Sequence, residues 1–327
     1  MPRWRTRAKR LIVGAALLAA LVAAALAGYA AVAEARFYRR HPPPGRLVDV
    51  GGGRRLHIHC TGAGAPAVVF ESALGGSSVD WYAVQPNVAS FTTACAYDRA
   101  GAGWSDAAPL PRDPLRTAED LHVALGAAGI AAPYVVVGHS YGGGYVARVF
   151  AGRYRGETAG MVLVDAVGPE TLDQIPSLEQ YWQKTARDCR WDRWRAIFAV
   201  FRLRGDSMTY VPPDVRPITD GFFHSRKLQD DSCGEIQAMI GPGRDQVRAA
   251  GSFDALPLVV VTAGKTDSLD PDAWQRWQQA QRQLVALSRR STQVVAANST
   301  HHIQFIQPDV IATAVRQVVT AAREGPK

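Results

Sequence analysis

Residues 134–144, YVVVGHSYGGG, run an apolar stretch straight into a lone serine with glycines on both sides. Tyr134–Val137 has the β-branched character of a strand buried on both faces. Gly138 and Gly142 bracket Ser140, and Gly143 and Gly144 follow. Backbone without Cβ atoms can turn sharply there and pack closely against its neighbours. A solvent-facing turn needs one or two glycines. Four of them around Ser140, with the helix-like YVARVFAGRY next, imply a buried strand that breaks into a helix at the serine.

The rest of the chain supplies the layers such a turn needs. GRLVDVGGGRRLHIHCTG (45–62) reads as a hairpin around Gly51–Gly53. PAVVFESALGG (66–76) reads as a buried strand ending in glycines, and TTACAYDRAGAGWSD (92–106) as a strand running into a loop. Further strands are expected in 160–170, 256–267 and 292–299, with helices over 116–130, 271–288 and 308–324. Alternating strands and helices imply a mostly parallel sheet covered on both faces. Residues 169–250 break the alternation, with no clear strand and many aromatics. There Trp194, Ile197, Phe198 and Phe201 fall at the i, i+3, i+4, i+7 spacing of an amphipathic helix. The segment reads as a helical insertion over the sheet. His57 and His59 alternate with Leu56 and Ile58, which predicts a solvated strand face, not a metal pair.

The formal net charge of +8 is concentrated at one end. Residues 1–40 hold Arg3, Arg5, Arg7, Lys9, Arg10, Arg36, Arg39 and Arg40 against Glu34. The body is close to neutral, which excludes a broad phosphate-binding surface and argues against nucleic acid as a partner. The basic tip precedes 23 uncharged residues, 11–33, enough for a helix to span a bilayer. The positive-inside rule keeps the tip in the cytoplasm and sends the body out. A single-pass signal anchor is expected; the alternative is a signal peptide cleaved after Ala31-Val32-Ala33, giving a secreted body. RFYRRHPPPG then reads as a juxtamembrane linker stiffened by prolines. Four cysteines, Cys60, Cys95, Cys189 and Cys233, suit disulfides in that compartment. No spacing suggests a zinc site.

G-x-S-x-G between a strand and a helix is the pattern that lifts a serine hydroxyl above a sheet edge as a nucleophile. Such a serine needs an adjacent base, itself oriented by an acid, in the chain order serine, acid, histidine. Downstream, NSTHHIQFIQPDV offers His301 and His302, and VVVTAGKTDSLD offers Asp267. His139 is a poorer base, because neighbouring positions on the turn point apart. Asp165 at the end of MVLVDA is an alternative acid; Asp270 and Asp272 suit the cap of the helix beginning at Pro271.

Over residues 45–322 the chain resembles the α/β-hydrolase-fold enzymes of the esterase/lipase-like superfamily. YDRAGAGWSD resembles the family's loop after the fourth strand, GHSYGG its nucleophile elbow and AGKTD its acid loop. The resemblance implies an eight-stranded, mostly parallel sheet with helices on both faces and a helical lid inserted after the sixth strand. The corresponding division is an N-terminal segment 1–40, a core of 41–168 and 251–327, and a lid of 169–250. The family's histidine commonly lies seven residues before the proline of the last helix, which points to His301 over His302. Its acid spacing points to Asp267, while some relatives place the acid at the position of Asp165. The oxyanion donors would be the backbone N–H groups of Tyr141 and Leu74, with Ala73 where many relatives carry glycine. Asp98 and Arg99 would brace the neighbouring loop, and Trp81 either lines the pocket mouth or packs. The fold also sets the second strand beside the fourth, implying a Cys60–Cys95 disulfide and leaving Cys189–Cys233 within the lid. Relatives that attack halides or epoxides carry aspartate at the elbow, so Ser140 points away from those reactions. The expected enzyme is a serine hydrolase cleaving esters of apolar or aromatic small molecules, with no cofactor and no metal. The same fold also supports amide or peptide-end cleavage, carbon–carbon cleavage, cofactor-free perhydrolysis, or binding without catalysis.

Overall fold

The computed structural model describes residues 3–266 and 268–325. Eight strands form one sheet: β1 (Arg46–Asp49), β2 (Arg55–Thr61), β3 (Ala67–Glu71), β4 (Ala94–Tyr97), β5 (Tyr134–His139), β6 (Thr158–Val164), β7 (Leu258–Ala263) and β8 (Ser291–Ala296). Their order across the sheet is β1-β2-β4-β3-β5-β6-β7-β8. Pairing is antiparallel from β1 to β2 and from β2 to β4, and parallel from β4 onward. The chain therefore has the α/β-hydrolase sheet, with the insertion after the sixth strand, as its sequence implies.

Strands β3, β5 and β7 are buried along their whole length. Their unbroken Val/Phe/Ala runs follow from this, because helices cover both faces of a parallel sheet. An N-terminal helix, α1 (Arg3–Arg40), precedes the sheet. One face of the sheet is covered by α2 (Gln85–Ala89) and, at the far end of the chain, by the helix starting at Pro308. The packing there joins Trp81, Val84 and Val88 to Ile311, Val315 and Val318. The other face carries α3 (Pro114–Ala127), α4 (Arg148–Arg153) and the helix starting at Pro271, and buries Leu121, Leu125, Phe150 and Trp277. Asp113 caps α3 through the Leu115 and Arg116 amides, and Pro114 opens it.

Residues 169–250 fold as α5 (Pro169–Gln174), α6 (Pro176–Asp188), α7 (Arg190–Ile197), α8 (Val200–Arg204), α9 (Arg216–Phe223), α10 (Arg226–Ile240) and α11 (Gly243–Ala250). After β7 come α12 (Pro271–Leu284), α13 (Ile303–Ile306) and α14 (Pro308–Glu324). The amphipathic helix expected through Trp194 and Phe201 is interrupted. Ala199 takes a left-handed backbone (φ +58°) and separates α7 from α8. Trp194 is left exposed while Phe201 is buried, so one continuous stripe does not form.

Two further departures concern the N-terminal third. Residues 34–40, expected as linker, continue α1 without a break. Phe37 packs edge-on against Phe222 at 5.4 Å, and a Cβ on Gly221 would run into the Phe37 ring. Tyr38 donates to the Gly103 carbonyl (3.1 Å), and the Trp104 indole donates to the His41 carbonyl (2.7 Å). The lower end of α1 is thus fixed to the body. His57, expected on a solvated face, is fully buried. Its Nε2 accepts from the Gly45 amide (3.1 Å), so Nδ1 carries the proton given to Asp98 (2.9 Å). The loop following β4 folds over this stretch of β2, with Trp104 4.9 Å from the imidazole; alternation along a strand cannot reveal that cover.

The chain's four cysteines form two disulfides, Cys60–Cys95 and Cys189–Cys233. Cys60 and Cys95 are cross-strand partners of β2 and β4, and the second bond ties α10 to the turn between α6 and α7. Unreduced, denatured protein is expected to show no free thiol by a colorimetric titration and four after reduction; four before reduction would contradict both bonds.

Candidate active site

Four segments end along the carboxyl edge of the sheet, where ligands bind in open α/β folds. The loop Ser72–Ser77 follows β3, Ser140 follows β5, Asp165 follows β6, and His301 lies beyond β8. Ser140 sits at φ +55°, a left-handed conformation that non-glycine residues rarely hold without support. Support comes from its own backbone: Ser140 N donates to Val164 O (3.0 Å), and Ser140 O accepts from Gly144 (2.9 Å) and Val167 (3.0 Å). A Cβ at Gly138 would lie 2.5 Å from the Gly143 Cα, and one at Gly144 would run into the Val167 carbonyl. These glycines are therefore required by close approach. After the serine the chain opens as a π-helical stretch, Gly142–Ala147, before α4; such widened turns recur at functional sites.

The His301 imidazole stands between two of these groups. Its Nε2 is 3.0 Å from Ser140 Oγ, and its Nδ1 is 2.7 Å from Asp165 Oδ2. The other oxygen of Asp165 accepts from the Ala263 amide (3.0 Å) and the Trp277 indole N–H (3.1 Å). Trp277 also meets the His301 ring edge-on at 5.5 Å. Asp165 is almost wholly buried, whereas Ser140 and His301 are partly exposed. Among the described residues the carboxylate on His301 is therefore Asp165, the alternative acid. Asp267, the first choice from the sequence, lies outside the described residues. The single Nδ1 site of His301 is already filled by Asp165. Asp270 caps α12 through the Ala273 amide (2.9 Å), as expected.

His302 stacks on Tyr210, ring centres 4.0 Å apart, while His301 is the histidine on Ser140. His139 has a positioning contact the sequence did not suggest: its Nε2–H donates to the His301 carbonyl (2.9 Å). Burial, reinforced by the charges of His301 and His302, holds His139 well below the usual histidine range. It stays neutral, with an unpaired Nδ1 facing inward.

The loop that carries Leu74 is braced from below. Arg99 donates to the carbonyls of Ser72 (2.8 Å) and Ala73 (2.7 Å). The same guanidinium is paired with Glu71 and, on α10, with Glu235, whose second oxygen is at 3.1 Å. Asp98 accepts from the Ser78 (2.6 Å) and Trp104 (2.9 Å) amides. Burial would raise the Asp98 pKa, but the His57 hydrogen bond and these amides outweigh it and lower it. Trp81 is fully buried, stacked on Phe70 and bonded to Ser72 Oγ (3.0 Å), so it packs and does not line a mouth. The helical segment thus takes part in holding the loop, through Glu235; nothing in the local pattern of QDDSCGEIQ marks that role.

A cavity of about 30 Å³ adjoins these residues, lined by Leu74, Asp80, His139, Tyr210 and His302 among others. Burial pushes the Asp80 carboxyl up to about 7, with the Asp98 charge adding to it. Because the folded state holds this proton more tightly than an unfolded Asp at 3.8, the linked stability is present at low pH. It is lost as pH rises from about 4 through about 7. Between pH 5 and 8 the melting temperature of Asp80→Asn is expected to fall less than that of the wild type; parallel curves would contradict the buried acid. Among the described residues no group of three or more His, Cys, Asp or Glu could hold a metal.

Comparison with known proteins agrees with this architecture. The sequence profile of the alpha/beta hydrolase fold family matches residues 66–308. The uncharacterized protein YqjL of Bacillus subtilis (strain 168) is 25% identical over 266 residues, covering 81% of this chain and 87% of that protein. Haloalkane dehalogenase DbeA from Bradyrhizobium elkani USDA94 superposes with a TM-score of 0.66 at 15% identity, over 86% of this chain and 98% of its own. A thermophilic esterase from Thermogutta terrifontis superposes with a TM-score of 0.62 at 19% identity, over 85% and 98%. Identities this low carry the fold and leave the reaction to the residues at the site.

Proposed function

The chain belongs to the α/β-hydrolase fold family, and we propose that it is a serine hydrolase cleaving esters of small apolar or aromatic molecules. The observation that carries this reading is the unbroken relay from Ser140 Oγ through His301 to buried Asp165. In the proposed reaction Ser140 Oγ attacks the ester carbonyl while His301 Nε2 takes its proton. Asp165 keeps the Nδ1 proton in place and balances the imidazolium charge. The Tyr141 amide, at the start of the helix after the elbow, and the Leu74 amide hold the oxyanion. Collapse expels the alcohol, which receives the proton from His301. Water then attacks the acyl-serine with His301 as base, releasing the acid and restoring Ser140. Each step is balanced by the chain's own groups. A nucleophilic serine in place of a carboxylate separates this site from reactions that begin by displacing a halide.

The cavity beside Leu74 is small, and in this reading Tyr210 and the surrounding helices move to admit an acyl chain. Residues 169–250 act in this reading as a lid. We also read α1 as a single-pass anchor that leaves the catalytic domain outside the cytoplasm. That helix is long and apolar enough to cross a membrane, and its most apolar 18-residue window is unburied. Ala30 and Phe37 are buried against the body, which favours a retained helix over one cleaved after Ala33.

The test is a panel of p-nitrophenyl acetate, butyrate and benzoate beside the matching p-nitroanilides, using the full chain in detergent. Ester turnover with anilide turnover lower by orders of magnitude is expected. Anilide turnover without ester turnover would replace this reading with amide cleavage.

A further inference from the structure

A second cavity, of about 370 Å³, lies where α1 meets α8 and α9, away from the catalytic residues. We propose that it binds the phosphate group of an anionic phospholipid; this rests on the reading of α1 as a membrane anchor. Arg36 and Arg40, one turn apart on α1, face Arg202 of α8 across it. Nη2 of Arg202 is buried with no hydrogen-bond partner. A buried donor left unpaired is costly, so the site is built for an acceptor the protein itself does not supply. Arginine guanidinium groups match phosphate oxygens in geometry as well as charge. Asp220 also lines the cavity, but its two oxygens already accept from Ser207 Oγ (2.7 Å) and the Met208 amide (2.8 Å). Glu34 lies close enough to act on Arg202 electrostatically. Even with both acids counted, the three arginines leave the site positive.

Position identifies the source of the phosphate. Tyr29 and Ala33 form the upper wall on the same helix face. The uncharged stretch ends at Ala33. At 1.5 Å per residue, Arg36 lies about 5 Å and Arg40 about 10 Å past that end, which is headgroup depth. Tyr29 falls where interfacial aromatics concentrate. A volume of 370 Å³ lies within the range of small-molecule sites. It is room for a phosphate and its glycerol, with the acyl chains running back along α1.

Native mass spectrometry of the full chain from mixed micelles tests this, with dioleoyl phosphatidylglycerol in one arm and dioleoyl phosphatidylcholine in the other. One phosphatidylglycerol is expected to be retained with about tenfold higher affinity than phosphatidylcholine, a difference of about 1.4 kcal/mol. Arg202→Gln, and separately the exposed Arg36→Gln, are expected to bring phosphatidylglycerol down to the phosphatidylcholine level while leaving the melting temperature and ester turnover unchanged. Equal retention of both lipids, or unchanged retention in both variants, would overturn the site. Displacement of the lipid by millimolar inorganic phosphate would overturn its lipid identity and leave a soluble-anion site. Resistance of the full-length chain to extraction by alkaline carbonate checks the anchor separately. Release of a shortened, soluble chain would defeat the anchor reading, and the lipid source with it, without touching the hydrolase reading.

Discussion

Asp165→Asn is expected to lower kcat for p-nitrophenyl butyrate by about 10⁴ while KM changes little. The carboxylate accepts the His301 Nδ1 proton and so fixes the tautomer that presents a lone pair to Ser140. An asparagine amide can turn its NH₂ toward Nδ1, which forces the proton onto Nε2 and removes the base. The pocket around Asp165 does not change in volume, so the loss falls on the chemical step. The Ala263 amide and the Trp277 indole can still donate to the asparagine oxygen, which keeps the protein folded. Asp267→Asn is the matched control, with an expected effect within about threefold, because Asp165 already fills the His301 Nδ1 site. The reverse pattern, a silent Asp165→Asn and a disabled Asp267→Asn, would move the acid back to the loop after β7.

Ser140→Ala is expected to remove turnover by a factor on the order of 10⁶, leaving only what positioning and oxyanion contacts supply. His301→Ala should match it within about tenfold, because nucleophile and base act as one unit. His302→Ala should retain activity, since that ring stacks on Tyr210 and not on the serine. Methyl for hydroxymethyl at position 140 removes no packing, but a β-carbon stays at φ +55°. The melting temperature should therefore stay close to that of the wild type. Loss of turnover with an intact fold separates a nucleophile from a turn residue.

Much of this was legible in the sequence because it rests on short-range rules. Glycines at 138, 142, 143 and 144 encode close backbone approach, and the apolar runs of β3, β5 and β7 encode burial on both sides. Ser140 and His301 follow from one elbow pattern and one spacing to Pro308. The acid did not follow from the sequence alone, because the chain offers one aspartate just after the sixth strand and another after the seventh, and no local pattern chooses between them. The side-chain geometry at the end of β6, with Ala263 and Trp277 as donors, is what favours Asp165. The burial of His57 escapes the sequence for a related reason: a strand's alternation says which way a side chain points but not what lies above it. The break at Ala199 and the continuation of α1 to Arg40 are decided by tertiary packing, which overrides local propensity. The brace from Arg99 to Glu235 spans 136 residues, beyond the reach of any local pattern.

The most direct measurement is labelling of the full chain with a fluorophosphonate, followed by peptide mass spectrometry. A single phosphonylated residue at Ser140, absent in Ser140→Ala and lost with His301→Ala and Asp165→Asn, is the predicted result. A folded wild-type protein that takes no label, or takes it at a serine other than Ser140, would contradict the nucleophile assignment and leave the elbow as a structural turn.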